Sequence, residues 1–287
     1  MQRLRRPCSY SNIYKSEEEE EEGEEELMVP VMILSAGKGT RLGDLCQDTP
    51  KPLLKVAARP ILEWNLRHLV SLGFKDVIIN LNYLGEKIVE YFGDGHKLGL
   101  RLHIHYSLEK ERALGTAGGV KHAEDIIDRL LVHSLTKPFF FVLYGDILCN
   151  YDYRKLLQLQ EQNYRVYGAE GTILLHKRQR SNSIIVMDEK GEIAKFMERP
   201  REEEVLQHLA LKEETWVNSG LYCFHQKILS RIADGEACDF PANIFPLLMQ
   251  ERRLFGKALE GYRIAIDSKE RYLQAQMDLK KQGVFCV

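Results

Sequence analysis

The run Val31–Leu34 is apolar throughout and breaks at once into a loop with glycines at Gly37, Gly39 and Gly43. A short strand feeding a glycine loop and then a helical pattern is one half of a strand–helix–strand unit. Repetition of that unit dictates a mostly parallel sheet covered by helices on both faces. The repetition is present. Pro60 stands where a helix would start, and Ile61, Leu62, Leu66, Leu69 and Val70 recur at helical spacing as far as Gly73. DVIINL (Asp76–Leu81) is the next strand, LGEKIVEYFG a short helix and LRLHIHYS an alternating strand. Another helix is expected after Gly119, then the buried strand FFFVLYGD from Phe139 to Asp146. In the second half GTILLH, SIIVMD, EIAKFM and TWVNSGLYCF read as strands, with DEKGE (Asp188–Glu192) a hairpin turn. Helical stretches around Asn243–Glu251 and Lys269–Gln282 close the chain. The expectation is one three-layer α/β domain over residues 29–287, without short-period repeats.

Composition narrows the partners. The chain has 287 residues, 44% hydrophobic and 29% charged, which is the make-up of a soluble globular protein. No apolar run approaches the roughly 20 residues that span a bilayer, so no membrane partner is expected. Arg3, Arg5 and Arg6 lack an apolar stretch behind them and make no secretory signal, so the expected location is the cytoplasm. The six cysteines (Cys8, Cys46, Cys149, Cys223, Cys238, Cys286) are scattered and read as reduced packing residues. Residues 1–28 hold nine of the acidic residues, Glu17 to Glu22 and Glu24 to Glu26, against four basic ones. Like charges repel and bury nothing, so this segment reads as a disordered acidic leader. Beyond it, 36 of the 40 basic and 33 of the 42 acidic residues remain, and a net of +3 is no nucleic-acid signature. A homodimer or a place in a regulatory complex stays open.

The glycine loop fails both common nucleotide patterns. A dinucleotide turn needs an acidic residue at the end of the second strand, where this chain has Asn80 and Leu81. A P-loop needs Gly-Lys followed by Ser or Thr, which is absent. Its chemistry still suits polyphosphate. Gly37 and Gly39 let backbone N–H groups approach an anion, Thr40 adds a hydroxyl, and Lys38, Arg41 and Lys51 add charge. The same residues also satisfy a plain glycine turn with exposed cations. His103 and His105 share one strand face and read as a solvated edge, and Glu109 and Glu111 as a charged loop without a role.

Ordered motifs go further. LSAGKGTRL with TPKPLLKVAARPIL resembles the signature of the sugar-1-phosphate nucleotidyltransferases. LGTAGGV (Leu114–Val120), FFFVLYGDIL, KFMERP (Lys195–Pro200), VNSGLY (Val217–Tyr222) and DFPANIFPLL resemble further family elements in the same order. The resemblance implies a Rossmann-like fold of the nucleotide-diphospho-sugar transferase type. It implies a reaction in which an NTP and a sugar 1-phosphate give a nucleotide sugar and pyrophosphate, with Mg²⁺ as cofactor. Carried over residue by residue, Ala36, Gly37, Lys38, Gly39, Thr40 and Arg41 wrap the triphosphate, with Arg41 on the leaving pyrophosphate. Lys51 offsets charge at the transferred phosphate, and Leu114, Gly115, Thr116, Ala117 and Gly118 lie against the base, the glycines allowing backbone contacts. Gly145 and Asp146 end a strand, with Asp146 on the metal; Glu198 and Asn218 meet sugar hydroxyls and Arg199 the sugar phosphate. Gly43 is expected to be incidental.

Three departures stand out. SLEKERALG has one residue more than the family's segment before the base loop and no proline, and Arg199 replaces a lysine. GYRIAIDSKERY replaces a segment whose aspartate is the second metal carboxylate. Aligned without gaps, the family's Trp becomes Arg263 and its Asp becomes Ala265, leaving Asp267 about 6–7 Å further along a strand. With a two-residue deletion, Asp267 is itself the ligand, and both alignments stand. The pattern lies nearest the mannose- and heptose-1-phosphate guanylyltransferases, and GTAG favours GTP. A UTP-using N-acetylmuramate-1-phosphate-type uridylyltransferase and a catalytically weak nucleotide-sugar-binding regulator are the alternatives.

Overall fold

The computed structural model describes residues 27–110, 112–133, 137–177, 183–205, 214–281 and 284–285. The expected acidic leader lies outside them except at its last two residues. Leu27 already belongs to the fold: its N–H donates to the Gly73 carbonyl at 2.9 Å and it bridges Phe74. In chain order the strands are β1 (Val31–Leu34), β2 (Lys55–Val56), β3 (Arg59–Pro60), β4 (Asp76–Leu81), β5 (His103–Leu108), β6 (Phe139–Tyr144) and β7 (Ile147–Cys149). They continue with β8 (Gly171–His176), β9 (Ser183–Met187), β10 (Ile193–Glu198), β11 (Val217–His225), β12 (Leu254–Ala258) and β13 (Arg263–Ala265). The helices are α1 (Ile61–Ser71), α2 (Gly85–Phe92), α3 (Gly115–His122), α4 (Glu124–His133), α5 (Tyr153–Tyr167), α6 (Phe245–Gln250) and α7 (Lys269–Asp278).

Seven strands form the central sheet in the order β12-β8-β11-β6-β1-β4-β5, and β11 alone runs antiparallel to its neighbours. The unbroken apolar character of β1 follows from its central place, because it is covered on both faces. Val31 and Ile33 pack with Leu62, Leu66 and Leu69 of α1, while Met32 faces Val120 of α3 and Ile127 of α4. Each such side chain contributes about 1.5–3 kcal/mol by leaving water. The mixed, mostly parallel sheet between helical layers is the expected fold.

The boundaries differ where tertiary contacts intervene. A helix was expected after Gly119, but α3 begins at Gly115, whose φ of 78° is open to glycine. Its N-terminus is tied down by Cys238, whose carbonyl accepts from Ala117 and Gly118 at 2.9 and 3.0 Å. Phe240–Ile244 forms a π turn ahead of α6, which shortens the expected helix there. β12 was not read from the sequence, whereas the strand expected around Ala265 is β13. β13 pairs antiparallel with β7, Ala265 opposite Ile147, and Ile266 donates its N–H to the Asp146 carbonyl at 2.8 Å. A two-stranded ladder of three residue pairs therefore carries the C-terminal segment to the end of β6. His103 and His105 do not simply face solvent: their ring nitrogens stand 3.2 and 3.3 Å from Asp76 Oδ1. His105 first, then His103, hold that carboxyl below its ordinary range against the effect of burial.

Candidate active site

The carboxyl ends of β1 and β6 lie side by side, with Leu34 in register with Tyr144. Open α/β sheets bind ligands at such ends. The loop after β1 and the Gly145–Asp146 turn after β6 must therefore pass very close together. A Cβ on Gly145 would stand 2.8 Å from the Leu34 carbonyl oxygen, so only glycine fits. Gly39 has φ 66°, and a Cβ there would meet Cys46 Sγ at 2.8 Å. Gly43 is not incidental: its φ of 55° and ψ of −127° kink the short helical segment Thr40–Cys46, a conformation closed to side-chain-bearing residues. Lys51 opens the turn Lys51–Leu53 and donates from Nζ to Asp146 Oδ2 at 2.5 Å.

Three cavities meet here, of about 260, 280 and 210 Å³, and Asp146 lines all of them. The first runs from Ala36 and Gly37 past Lys51 to Glu109, Gly115 and Thr116. The third holds Gly39, Thr40, Arg41 and Lys51 together with both Asp146 and Asp267. The second, on the far side of Asp146, is polar and includes Glu198, Arg199, Asn218, Arg263, Asp267 and Arg271. Burial raises the Glu198 carboxyl above its ordinary range, with Arg199 opposing. Arg199 itself sits in the left-handed region at φ 50° with its side chain largely exposed. Asn218 ties a bend in β11: its Oδ1 accepts from Gly220 N–H at 3.0 Å and its Nδ2 donates to Tyr222 Oη at 2.7 Å. Tyr222 donates onward to Tyr144 Oη at 3.2 Å, and Tyr144 lines both the first and the second cavity. This chain of hydroxyls joins the second cavity to the first. Burial pushes Tyr144 up to about 12, so its hydroxyl stays neutral.

Most of the residues singled out in the sequence converge on these cavities, but not all. Lys38 lies on the outer side of the loop, in a hollow with Gln47 and Tyr83. Leu114 faces another hollow with His122 and Gly235, and Ala117 and Gly118 are buried. The backbone contacts expected of Gly115 and Gly118 are made within the protein. A Cβ on either would stand 2.6 Å from the Cys238 carbonyl oxygen or 2.7 Å from that of Glu236. Thr116 is held by Asp239, whose Oδ1 accepts from its N–H and hydroxyl at 2.9 and 3.0 Å.

Glu109 was missed. It is 3% exposed, lines the first cavity, and accepts from Asn80 Nδ2 at 2.6 Å and from Leu114 N–H at 2.8 Å. The acid absent from the end of β4 thus arrives from the next strand and binds the asparagine standing there. Ser35 Oγ, in the same cavity, is buried without a hydrogen-bond partner. The alternation of LRLHIHYS gave no signal, since continued past Ser107 it puts Glu109 on the face of His103 and His105, opposite Leu102, Ile104 and Tyr106. Arg263 and His176 of the second cavity carried no pattern at all.

Two carboxylates facing one cavity suit a hard divalent cation that completes its shell with phosphate oxygens and water. Asp146 and Asp267 meet that description, and Asp267 is held by Arg271 Nη1 at 3.3 Å from both carboxylate oxygens. Among the described residues no three His, Cys, Asp or Glu side chains cluster as a metal site, so the remaining ligands would come from substrate and solvent. Among those residues, too, no helix is long and apolar enough to cross a membrane.

Comparison with known proteins agrees with this arrangement. The nucleotidyl transferase family model matches residues 30–279. The chain is 32% identical over 234 residues to a UTP–glucose-1-phosphate uridylyltransferase of Synechocystis, covering 76% of this chain and 54% of that protein. It is 31% identical over 245 residues to the mannose-1-phosphate guanylyltransferase catalytic subunit beta of Drosophila pseudoobscura pseudoobscura, covering 84% and 60%. It thus spans less than two thirds of the length of these curated relatives. Among solved structures, HddC from Yersinia pseudotuberculosis complexed with GMP-PN superposes with a TM-score of 0.66 at 22% identity, over 88% of this chain and 99% of that one. A putative glucose-1-phosphate thymidylyltransferase from Bacillus anthracis gives 0.69 at 18%, over 89% and 96%. At such identities the structures speak for the fold, and the sequence match speaks for descent. With fold, ordered motifs and family match in agreement over one cavity system, this chain belongs to the nucleotidyl transferase family.

Proposed function

We propose that the chain is a sugar-1-phosphate nucleotidyltransferase that uses GTP and a mannose- or heptose-type sugar 1-phosphate. The observation that carries the reading is Asp146, which lines all three cavities and already holds Lys51. In the reaction a phosphate oxygen of the sugar 1-phosphate attacks the α-phosphorus in line. The bond from that phosphorus to the β-phosphate bridging oxygen breaks, and pyrophosphate leaves. Such a transfer needs positioning and neutralised charge more than proton movement. The Gly37–Arg41 loop cradles the triphosphate, Arg41 meets the leaving pyrophosphate, and Lys51 offsets charge at the transferred group. Glu198 and Asn218 bind sugar hydroxyls, and Arg199 meets the sugar phosphate. Asp146 and Asp267 would hold Mg²⁺, which would supply further charge neutralisation when bound.

Guanine is favoured by Glu109. Each of its oxygens accepts one hydrogen bond from the protein and keeps lone pairs for the two neighbouring donors of a guanine edge. Uracil offers one such donor. The guanylyltransferase relative and the GMP-PN-bound structure lend the same support.

The test is pyrophosphate release from each NTP with mannose, heptose and glucose 1-phosphates, with and without a Mg²⁺ chelator. GTP with a mannose or heptose 1-phosphate should be fastest, and chelation should stop it. UTP outpacing GTP overturns the base assignment. Ala265 favours a second reading, a weak nucleotide-sugar-binding regulator, because it stands where the family's ungapped pattern has a carboxylate. No release with any pair, together with binding of a nucleotide sugar, establishes that reading instead. Asp267→Asn decides between the two alignments: a fall of about tenfold or more in turnover is expected, and indifference rejects Asp267 as a metal ligand.

A further inference from the structure

The second cavity holds a charge that the reaction above leaves unused. Arg263, Ala265 and Asp267 alternate along β13 and just beyond it, and all three face this cavity. The Arg263 guanidinium has little to hold it. Its Nη2 donates to the Ser219 carbonyl at 3.0 Å, and its Nη1 stands 3.5 Å from His176 Nε2, the limit of a hydrogen bond. Its Nε is buried and unpartnered.

The nearby acids are committed elsewhere: Asp146 to Lys51, Asp267 to Arg271, and Glu198 beside Arg199. Among the described residues Arg263 makes no ion pair. Asp146 and Asp267 act on it only from a distance, and a guanidinium partly withdrawn from water without a direct ion pair gains from an anion that would contact it. The guanidinium lines the cavity with N–H groups left unpaired, and such a group grips a carboxylate or phosphate through two parallel bonds.

The 1-phosphate must reach the nucleotide beside Lys51 and Asp146. His176, by contrast, lines only the second cavity, and Ser219 lies in the bend of β11 behind it. Arg263 therefore addresses the sugar's side of the pocket. The geometry points to Arg263 as a specificity residue for a second anionic group on the sugar, so that the preferred acceptor is a sugar 1-phosphate also carrying a carboxylate or another phosphate. This assignment rests on the transferase reading and deepens it.

The test is direct binding to the full chain in the presence of a non-hydrolysable guanine nucleotide. Mannose 1-phosphate, mannuronic acid 1-phosphate and mannose 1,6-bisphosphate are each titrated into wild type, Arg263→Gln and Arg263→Lys. The acid or the bisphosphate should bind at least about tenfold more tightly than the neutral sugar, and the stronger of the two identifies the anion. Arg263→Gln should erase the preference while leaving the neutral sugar's affinity unchanged, and Arg263→Lys should keep part of it. Equal binding of all three by wild type overturns the assignment. So does a loss in Arg263→Gln that falls equally on neutral and anionic sugars, because the guanidinium then meets the 1-phosphate. If Arg263→Gln does not fold, wild type and Arg263→Lys still decide. Absence of pyrophosphate release rejects the transferase reading alone, since the binding preference is measured without turnover.

Discussion

The two sides of Asp146 are built on different principles. On the side proposed for the nucleotide, backbone does most of the work: Gly39, Gly115 and Gly145 let chain segments pass within van der Waals distance, Gly43 supplies a positive φ, and the main charge, Lys51, is already paired. On the side proposed for the sugar, side chains do the work. Arg199, Arg263 and Arg271 line one cavity with Glu198 and Asp267, and Arg263 lacks a carboxylate. A surface of backbone groups is fixed by φ, ψ and close packing, so it demands particular residues at particular spacings. A surface of side chains can be re-lettered without disturbing the fold. The first side therefore keeps a readable motif.

The largest expected effect comes from the residue that both sides share. Asp146→Asn should lower pyrophosphate release by about a thousandfold or more, since it removes charge from all three cavities; wild-type turnover in that variant would dissolve the comparison. Glu109→Gln tests the nucleotide side. It should raise the KM for GTP about tenfold and leave that for the sugar 1-phosphate unchanged, the size of one hydrogen bond to a charged group. Asn218→Ala is its counterpart, expected to raise the sugar KM a few-fold with the GTP value unmoved, and equal shifts in both would mean that the sides are not separable. The smallest effect belongs to the bridge between them. Tyr222→Phe removes a buried hydroxyl that bonds Asn218 and Tyr144, and should cost about 1 kcal/mol in chemical denaturation. A loss too small to measure there would show the hydroxyl chain to be slack.

A pH dependence follows from a residue remote from both sides. Burial depresses the His225 imidazole to about 4 from 6.5, where it stacks on Tyr164 with ring centroids 4.0 Å apart. The folded state prefers the neutral ring, so this contribution is complete above pH 6.5 and is lost as pH falls toward 4. Stability measured across that interval should slope downward into acid, and His225→Phe should flatten the slope.

The alternation of apolar runs and helical patterns was enough to read the layered α/β fold, because β1 and β6 are buried on both faces and β5 alternates. The loop after β1, Lys51, Asp146, Glu198 and Asn218 were legible through the resemblance. The start of α3 was not. It depends on the Cys238 carbonyl, more than a hundred residues away in the chain, and no local propensity carries that information. Glu109 looked like loop charge because its burial is created by Asn80 and the N-terminus of α3.

By itself, then, the sequence determined the architecture and the glycine positions, since hydrophobic period and backbone conformation are local properties written residue by residue. Only the tertiary structure decided how the C-terminal segment meets the site. The β7–β13 ladder sets Ala265 opposite Ile147, brings Asp267 into a cavity with Asp146, and leaves the Arg263 Nε buried and unpartnered. Register between strands more than a hundred residues apart is fixed by packing and backbone hydrogen bonds that exist only once the chain has folded.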